Sequence, residues 1–82
     1  MSAWQIALVK EQGVNFGVVV VQDHVINDST RRDQICGSWT ARLGCPVALM
    51  GAHHHRTYGR QDIVRWLSSV DPGRLPWRQI TA

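Results

Sequence analysis

The chain lacks any apolar run that could cross a membrane, because its longest runs fall far short of the ~20 residues that a spanning helix needs. It has no glycine between Gln22 and Asn27, the link after its most apolar run, and therefore no glycine-rich phosphate loop there. Its beginning has no charged leader followed by an apolar core, as a secretory signal would have. These absences argue against a membrane partner and against the common nucleotide enzymes, and they predict a cytoplasmic protein.

Lysine and cysteine are scarce in this sequence. One lysine and eight arginines stand against six acidic residues, for a formal net charge of +3. This modest excess permits an anionic partner without requiring one, and arginine favours bidentate and stacked contacts. With only Cys36 and Cys45 and no secretory signal, we expect two reduced thiols rather than a disulfide. The 82 residues are enough for a single small domain, residues 1–82.

Apolar patterning predicts five elements. Strands are expected at about residues 4–10, 16–22 and 46–51, where apolar residues alternate or form short continuous runs. In the first of these strands, the tryptophan at position 4 lies on the apolar face with the isoleucine and leucine that alternate after it. Helical spacing of apolar residues predicts helices at about 30–43 and 60–70.

The order of these elements, ββαβα, predicts a small α/β domain of an α+β-like kind. A short turn around Gly13 makes the first two strands an antiparallel hairpin, and the helix between strands two and three predicts a parallel βαβ crossover. The tail, residues 71–82, is expected to be irregular, with a short edge strand as an option. Because strands two and three have no polar face, both sheet faces must be covered, by one helix each or by a second copy. The second copy is favoured and predicts a homodimer.

Three residues define the expected limits and packing of the first helix. Thr30 is expected to cap its beginning, and Gly44 its end. Gly37 weakens the helix interior, so we expect it to be retained for close packing against the sheet or a partner.

Polar clusters follow strands two and three. If these strands are parallel neighbours, both clusters lie at the carboxyl edge of the sheet, where open α/β sheets bind ligands. Arginines at the beginnings of the two helices are expected to face the same edge. The candidate ligand-binding residues are Asp23, His24, Arg31, Arg32, His53, His54, His55, Arg56, Tyr58 and Arg60.

The chemistry of this set favours an anionic ligand. Arginines interleaved with aromatic residues are typical of nucleic-acid or phosphate binding, although no known nucleic-acid-binding signature is present. Imidazole gains charge as the pH falls below about 6.5, so such binding is expected to strengthen on acidification. We therefore expect a binding or interaction protein rather than an enzyme, without a cofactor.

Two other functions stay open at this point. A metal-dependent or acid–base enzyme could use the histidine cluster, with His24, His53 and His55 as the metal ligands. A structural assembly protein could instead bind partners through the tryptophans at positions 39, 66 and 77.

Overall fold

The apolar segments form one mixed sheet with helices on both sides. The computed structural model describes residues 3–11, 13–54 and 56–81, and no helix in these ranges is long and apolar enough to cross a membrane. The strands are β1 (Ala3–Glu11), β2 (Val14–Val21), β3 (Val47–Gly51), β4 (Thr57–Tyr58) and β5 (Trp77–Thr81). The helices are α1 (Asp23–Ile26), α2 (Ser29–Leu43) and α3 (Gln61–Ser68), and Pro72–Arg74 form a single turn of 3-10 helix.

The strands lie in the order β4-β3-β2-β1-β5. β1 and β2 pair antiparallel with Ile6 opposite Val19, and β2 and β3 pair in parallel with Val19 opposite Leu49. The edge strands β4 and β5 pair antiparallel with β3 and β1. The predicted hairpin, parallel crossover and C-terminal edge strand are therefore confirmed. The carboxyl ends of β2 and β3 lie side by side.

Each face of the sheet is covered by a helix of the same chain. On one face, α2 packs Trp39 into a core with Val19 and Leu49. On the other face, Ile63 and Leu67 of α3 belong to a second core. Because the sheet faces are covered within one chain, the packing argument for a homodimer does not hold, and the oligomeric state stays a prediction.

Two short elements were not predicted. Val25 and Ile26 are buried in α1, a single turn within the segment expected to be an irregular link. β4 lies inside the expected polar loop, where Tyr58 pairs opposite Leu49. Both elements are too short for the periodicity of apolar residues to reveal them.

The beginning of α2 differs from the prediction by one residue and by its cap. The helix begins at Ser29, and the Asp28 carboxylate accepts a hydrogen bond from the backbone N–H of Arg31 at 3.1 Å. Thr30 is therefore a residue of the first turn and not the cap. Gly44 ends the helix with a φ of 70°, as predicted, because glycine adopts this left-handed conformation without steric cost.

We expect Asp28→Ala to lower the free energy of unfolding by about 1 kcal/mol, since the substitution leaves a backbone N–H without its acceptor. Thr30→Ala is the matched control and should change stability by less than half of that. Urea unfolding followed by circular dichroism measures both variants. Equal losses in the two variants would contradict the assignment of Asp28 as the cap.

Gly37 is exposed on the outer side of α2, where an added Cβ would meet no described atom within 4 Å. Gly37 therefore does not pack closely against the sheet, and packing against a partner stays a prediction. Gly37→Ala should raise the free energy of unfolding by about 0.5–1 kcal/mol, because alanine loses less conformational entropy in a helix. A destabilised variant in the same urea titration would indicate that another molecule packs against this turn of α2.

Candidate functional site

The Asp23 side chain joins the carboxyl ends of β2 and β3. Its Oδ1 accepts hydrogen bonds from the backbone N–H groups of His53 and His54, at 3.1 and 3.2 Å. Its Oδ2 lies 3.4 Å from Nδ1 of His53 and 3.9 Å from Nε2 of His54. The structure thus brings together three of the candidate residues from the two polar clusters. His55 lies outside the described residues.

Close approach at Gly51 makes room for this carboxylate. A Cβ on Gly51 would lie 2.5 Å from Oδ1 of Asp23, so a side chain at this position would displace it. Partial burial of Asp23 favours its neutral form, but the N–H groups and the two imidazoles outweigh this effect. As a result, the pKa of Asp23 lies below its ordinary value.

The histidine loop is consequently a poor site for an anion. The side chains of His53 and His54 are 87% and 77% exposed, so their interactions with a ligand would compete with water. Asp23 already occupies the two N–H groups of the loop and offsets the charge of its imidazoles. Its role here is to hold the turn after β3 against the end of β2.

A second group of candidate residues lies between α2 and β4. The Tyr58 hydroxyl donates to Asp33 at 2.7 Å, and this hydrogen bond raises the pKa of the tyrosine. The guanidinium of Arg32 lies 4.3 Å from the centre of the Tyr58 ring and donates to the Ile26 carbonyl at 3.0 Å. Arg56 donates to the Asn27 side chain at 3.3 Å. These arginines connect secondary-structure elements, and Asp33 offsets part of their charge.

Arg60 does not join the other candidate residues. β4 runs antiparallel to β3, and Tyr58 is already opposite Leu49, so the chain leads from there towards the amino end of β3. Arg60 lines a cavity at that end and forms an ion pair with Asp62, with 2.6 Å between the closest nitrogen and oxygen. The prediction that Arg60 faces the carboxyl edge is therefore wrong.

His24 and Arg31 meet at a different place, beside an indole that the sequence analysis did not include. Both residues line an open groove of about 430 Å³ at the carboxyl end of β2, together with Trp4 and Ile35. A second groove of about 490 Å³ begins at the same tryptophan and extends towards Asp28. We call the first of these the Trp4 groove. The alternation of β1 assigned Trp4 to an apolar face, and the structure leaves this residue partly exposed where it lines the groove.

The described residues hold little catalytic chemistry. Across residues 3–11, 13–54 and 56–81, no three His, Cys, Asp or Glu side chains are grouped to hold a metal ion. The predicted ligand set of His24, His53 and His55 includes an undescribed residue and stays a prediction. Within the same ranges, no serine, threonine or cysteine side chain is hydrogen-bonded to a histidine ring, so the Asp23–His53 pair has no nucleophile to activate.

The three tryptophans proposed for assembly are used within the chain. Trp39 is buried, and Trp66 contacts Phe16 edge to face with 5.5 Å between the ring centres. The indole N–H of Trp77 donates to the Pro72 carbonyl at 2.7 Å. Trp39 therefore has little surface left for a partner, whereas Trp66 and Trp77 remain partly exposed, and the assembly function stays a prediction.

Comparison with known proteins gives no relative for this chain. It matches no family model, no curated protein and no solved structure. Its function is therefore argued from its own residues.

We expect Asp23→Asn to lower the melting temperature at pH 7, because the variant loses the charge that stabilises the loop. The folded-state pKa of Asp23 is depressed, so its contribution is present above the ordinary aspartate pKa of about 3.9 and is lost as the pH falls through the lower folded-state value. The difference in melting temperature between wild type and Asp23→Asn should therefore disappear at acidic pH. Thermal melts from neutral pH to below pH 3 test this, with Glu11→Gln as the control for loss of one charge. A difference in melting temperature that is the same at every pH would contradict the role of the Asp23 charge.

Proposed function

We propose that this protein binds a phosphate-bearing anion in the Trp4 groove, and that it acts as a binding protein. One observation carries the proposal: Trp4, His24 and Arg31 line the same groove. Its volume of about 430 Å³ is within the usual range of ligand sites. It also lies beyond the carboxyl end of a parallel strand, the usual position of a ligand in an open α/β sheet.

The charge of the groove supports an anionic ligand. Arg31 supplies a permanent positive charge, and His24 adds another when it is protonated. None of the residues that line the Trp4 groove is acidic, whereas Asp23 and Asp33 sit within the other two groups of candidate residues. An anion in the Trp4 groove therefore meets Arg31 and His24 with no carboxylate among the lining residues, while Asp28 lies in the neighbouring groove.

The indole of Trp4 supports a ligand that also carries a flat ring. A partly exposed indole offers a surface on which a nucleobase can stack, while the phosphate contacts the cations. A nucleotide unit combines the two features in one molecule.

Cys36 and Cys45 are free thiols, which supports a reducing compartment and hence the cytoplasm as part of the same proposal.

Titration with adenosine monophosphate at low salt, followed by tryptophan fluorescence, tests this function. We expect Arg31→Gln to weaken binding by about tenfold or more, since a hydrogen bond to a charged group contributes about 1.5–3 kcal/mol. His24→Gln should weaken binding less than Arg31→Gln does, because the imidazole contributes charge only when it is protonated. Arg65→Gln, an exposed residue of α3 on the other face of the sheet, is the matched control and should bind as wild type does.

Adenosine, which has the ring but no phosphate, is the second probe in this experiment. Adenosine should bind more weakly than its monophosphate, because it lacks the charge that Arg31 would contact. Equal binding of the two, or an Arg31→Gln variant that binds as tightly as wild type, would overturn the proposed function.

A further inference from the structure

One side of α2 carries a row of residues that begins at the Trp4 groove. Arg31, Ile35, Trp39 and Arg42 recur at helical spacing and share this side of the helix. Trp39 contacts Trp4 of β1 edge to face, with 5.6 Å between the ring centres. The stripe therefore faces β1 and the edge strand β5, on the side of α2 away from β4.

Arginines also occupy the far end of this stripe. The Arg42 guanidinium lies 5.2 Å from the centre of the Trp39 ring and donates to the Thr81 carbonyl of β5 at 3.3 Å. Arg78 of β5 lies opposite Ile6 and, by the alternation of a strand, on the same sheet face as Ile80. Ile80 packs against the α2-side core, so Arg78 extends from the same face.

The positive charge along this side of α2 has little opposition. Within the part of the chain that the structure describes, no carboxylate forms an ion pair with Arg31, Arg42 or Arg78. Asp28 caps the beginning of the helix and lines the neighbouring groove at that end. Asp33 accepts from Tyr58 on the opposite side of the helix. Helix α2 thus separates a partly neutralised side from a basic one.

The number of cations on this side exceeds what one phosphate group needs. Arg31, Arg42 and Arg78 each carry a permanent positive charge, and each could take a phosphate of its own. A strand carries one phosphate for each nucleotide and therefore offers several phosphates to this surface. A base can stack on Trp4 only if it is unpaired, which favours a single strand over a duplex.

We infer that the ligand is single-stranded nucleic acid, with one base on Trp4 and its backbone running along α2 from Arg31 towards Arg42 and Arg78. This inference rests on the proposed function and extends it from one nucleotide unit to a strand. It predicts that affinity depends on strand length and on arginines outside the Trp4 groove.

Fluorescence anisotropy with labelled oligothymidylates of about two to about twelve nucleotides tests this length dependence, in a range that brackets single-strand site sizes. Affinity should rise with the length of the oligonucleotide and level off once all three arginines contact phosphates. Three arginine–phosphate contacts predict a slope of about −2 for log affinity against log salt concentration, and Arg42→Gln or Arg78→Gln should reduce this slope by about 0.7 each. Trp4→Phe keeps a stacking ring and should bind more tightly than Trp4→Ala.

The controls separate this inference from the proposed function. Arg65→Gln should leave the salt slope unchanged, and thermal melts confirm that each variant is folded. Adenosine monophosphate binding as tightly as the longest oligonucleotide would overturn the inference and leave the proposed function standing. Equal affinity for a duplex of the same length would also overturn the inference. If neither adenosine monophosphate nor the oligonucleotide binds, both the inference and the proposed function are overturned.

Discussion

Val19 lies opposite Leu49 in the parallel ladder of β2 and β3, and this pairing decides where every polar segment of the chain lies. Parallel neighbours need a crossover, so α2 must pass over one face of the sheet. The same pairing makes the two strands end side by side, where Asp23 can accept hydrogen bonds from the turn after β3. At the edge of the sheet where a ligand site was expected, hydrogen bonds within the chain therefore join the turn after β3 to Asp23 at the end of β2.

The position of α2 over the sheet then distributes charge between its two sides. On the side of α2 that faces β4, the Arg32 guanidinium lies over the Tyr58 ring and the Tyr58 hydroxyl donates to Asp33. The charges on this side are therefore partly neutralised within the chain. Towards β5, Arg31 and Arg42 lie along the helix without a paired carboxylate among the described residues. A net charge of only +3 can in this way still produce a strongly basic stripe, because the acids are concentrated elsewhere.

Much of the architecture could be predicted because β2 and β3 are apolar on both sides and a helical pattern of crossover length separates them. The candidate site was harder to predict because it depends on directions that periodicity does not encode. Arg60 was misplaced because β4 reverses the chain after the histidine loop. Asp23 belongs to the predicted site, but its hydrogen bonds go to backbone N–H groups and so cannot be predicted from the residue types at positions 53 and 54. Trp4 has the pattern of a core residue, and its place at a groove depends on where α2 packs over the sheet.

The place of β5 has a consequence for how the protein folds. Ala3 pairs opposite Thr81, so β1 can form its second ladder only with a strand from the other end of the described chain. Contacts so distant along the chain carry a high loop-closure entropy and form late in folding. Arg42 meets its carbonyl acceptor on β5 only after this strand has docked, so the basic surface is assembled last. Any ligand that bridges α2 and β5 would bind the docked state alone, and by mass action it would hold the final strand in place.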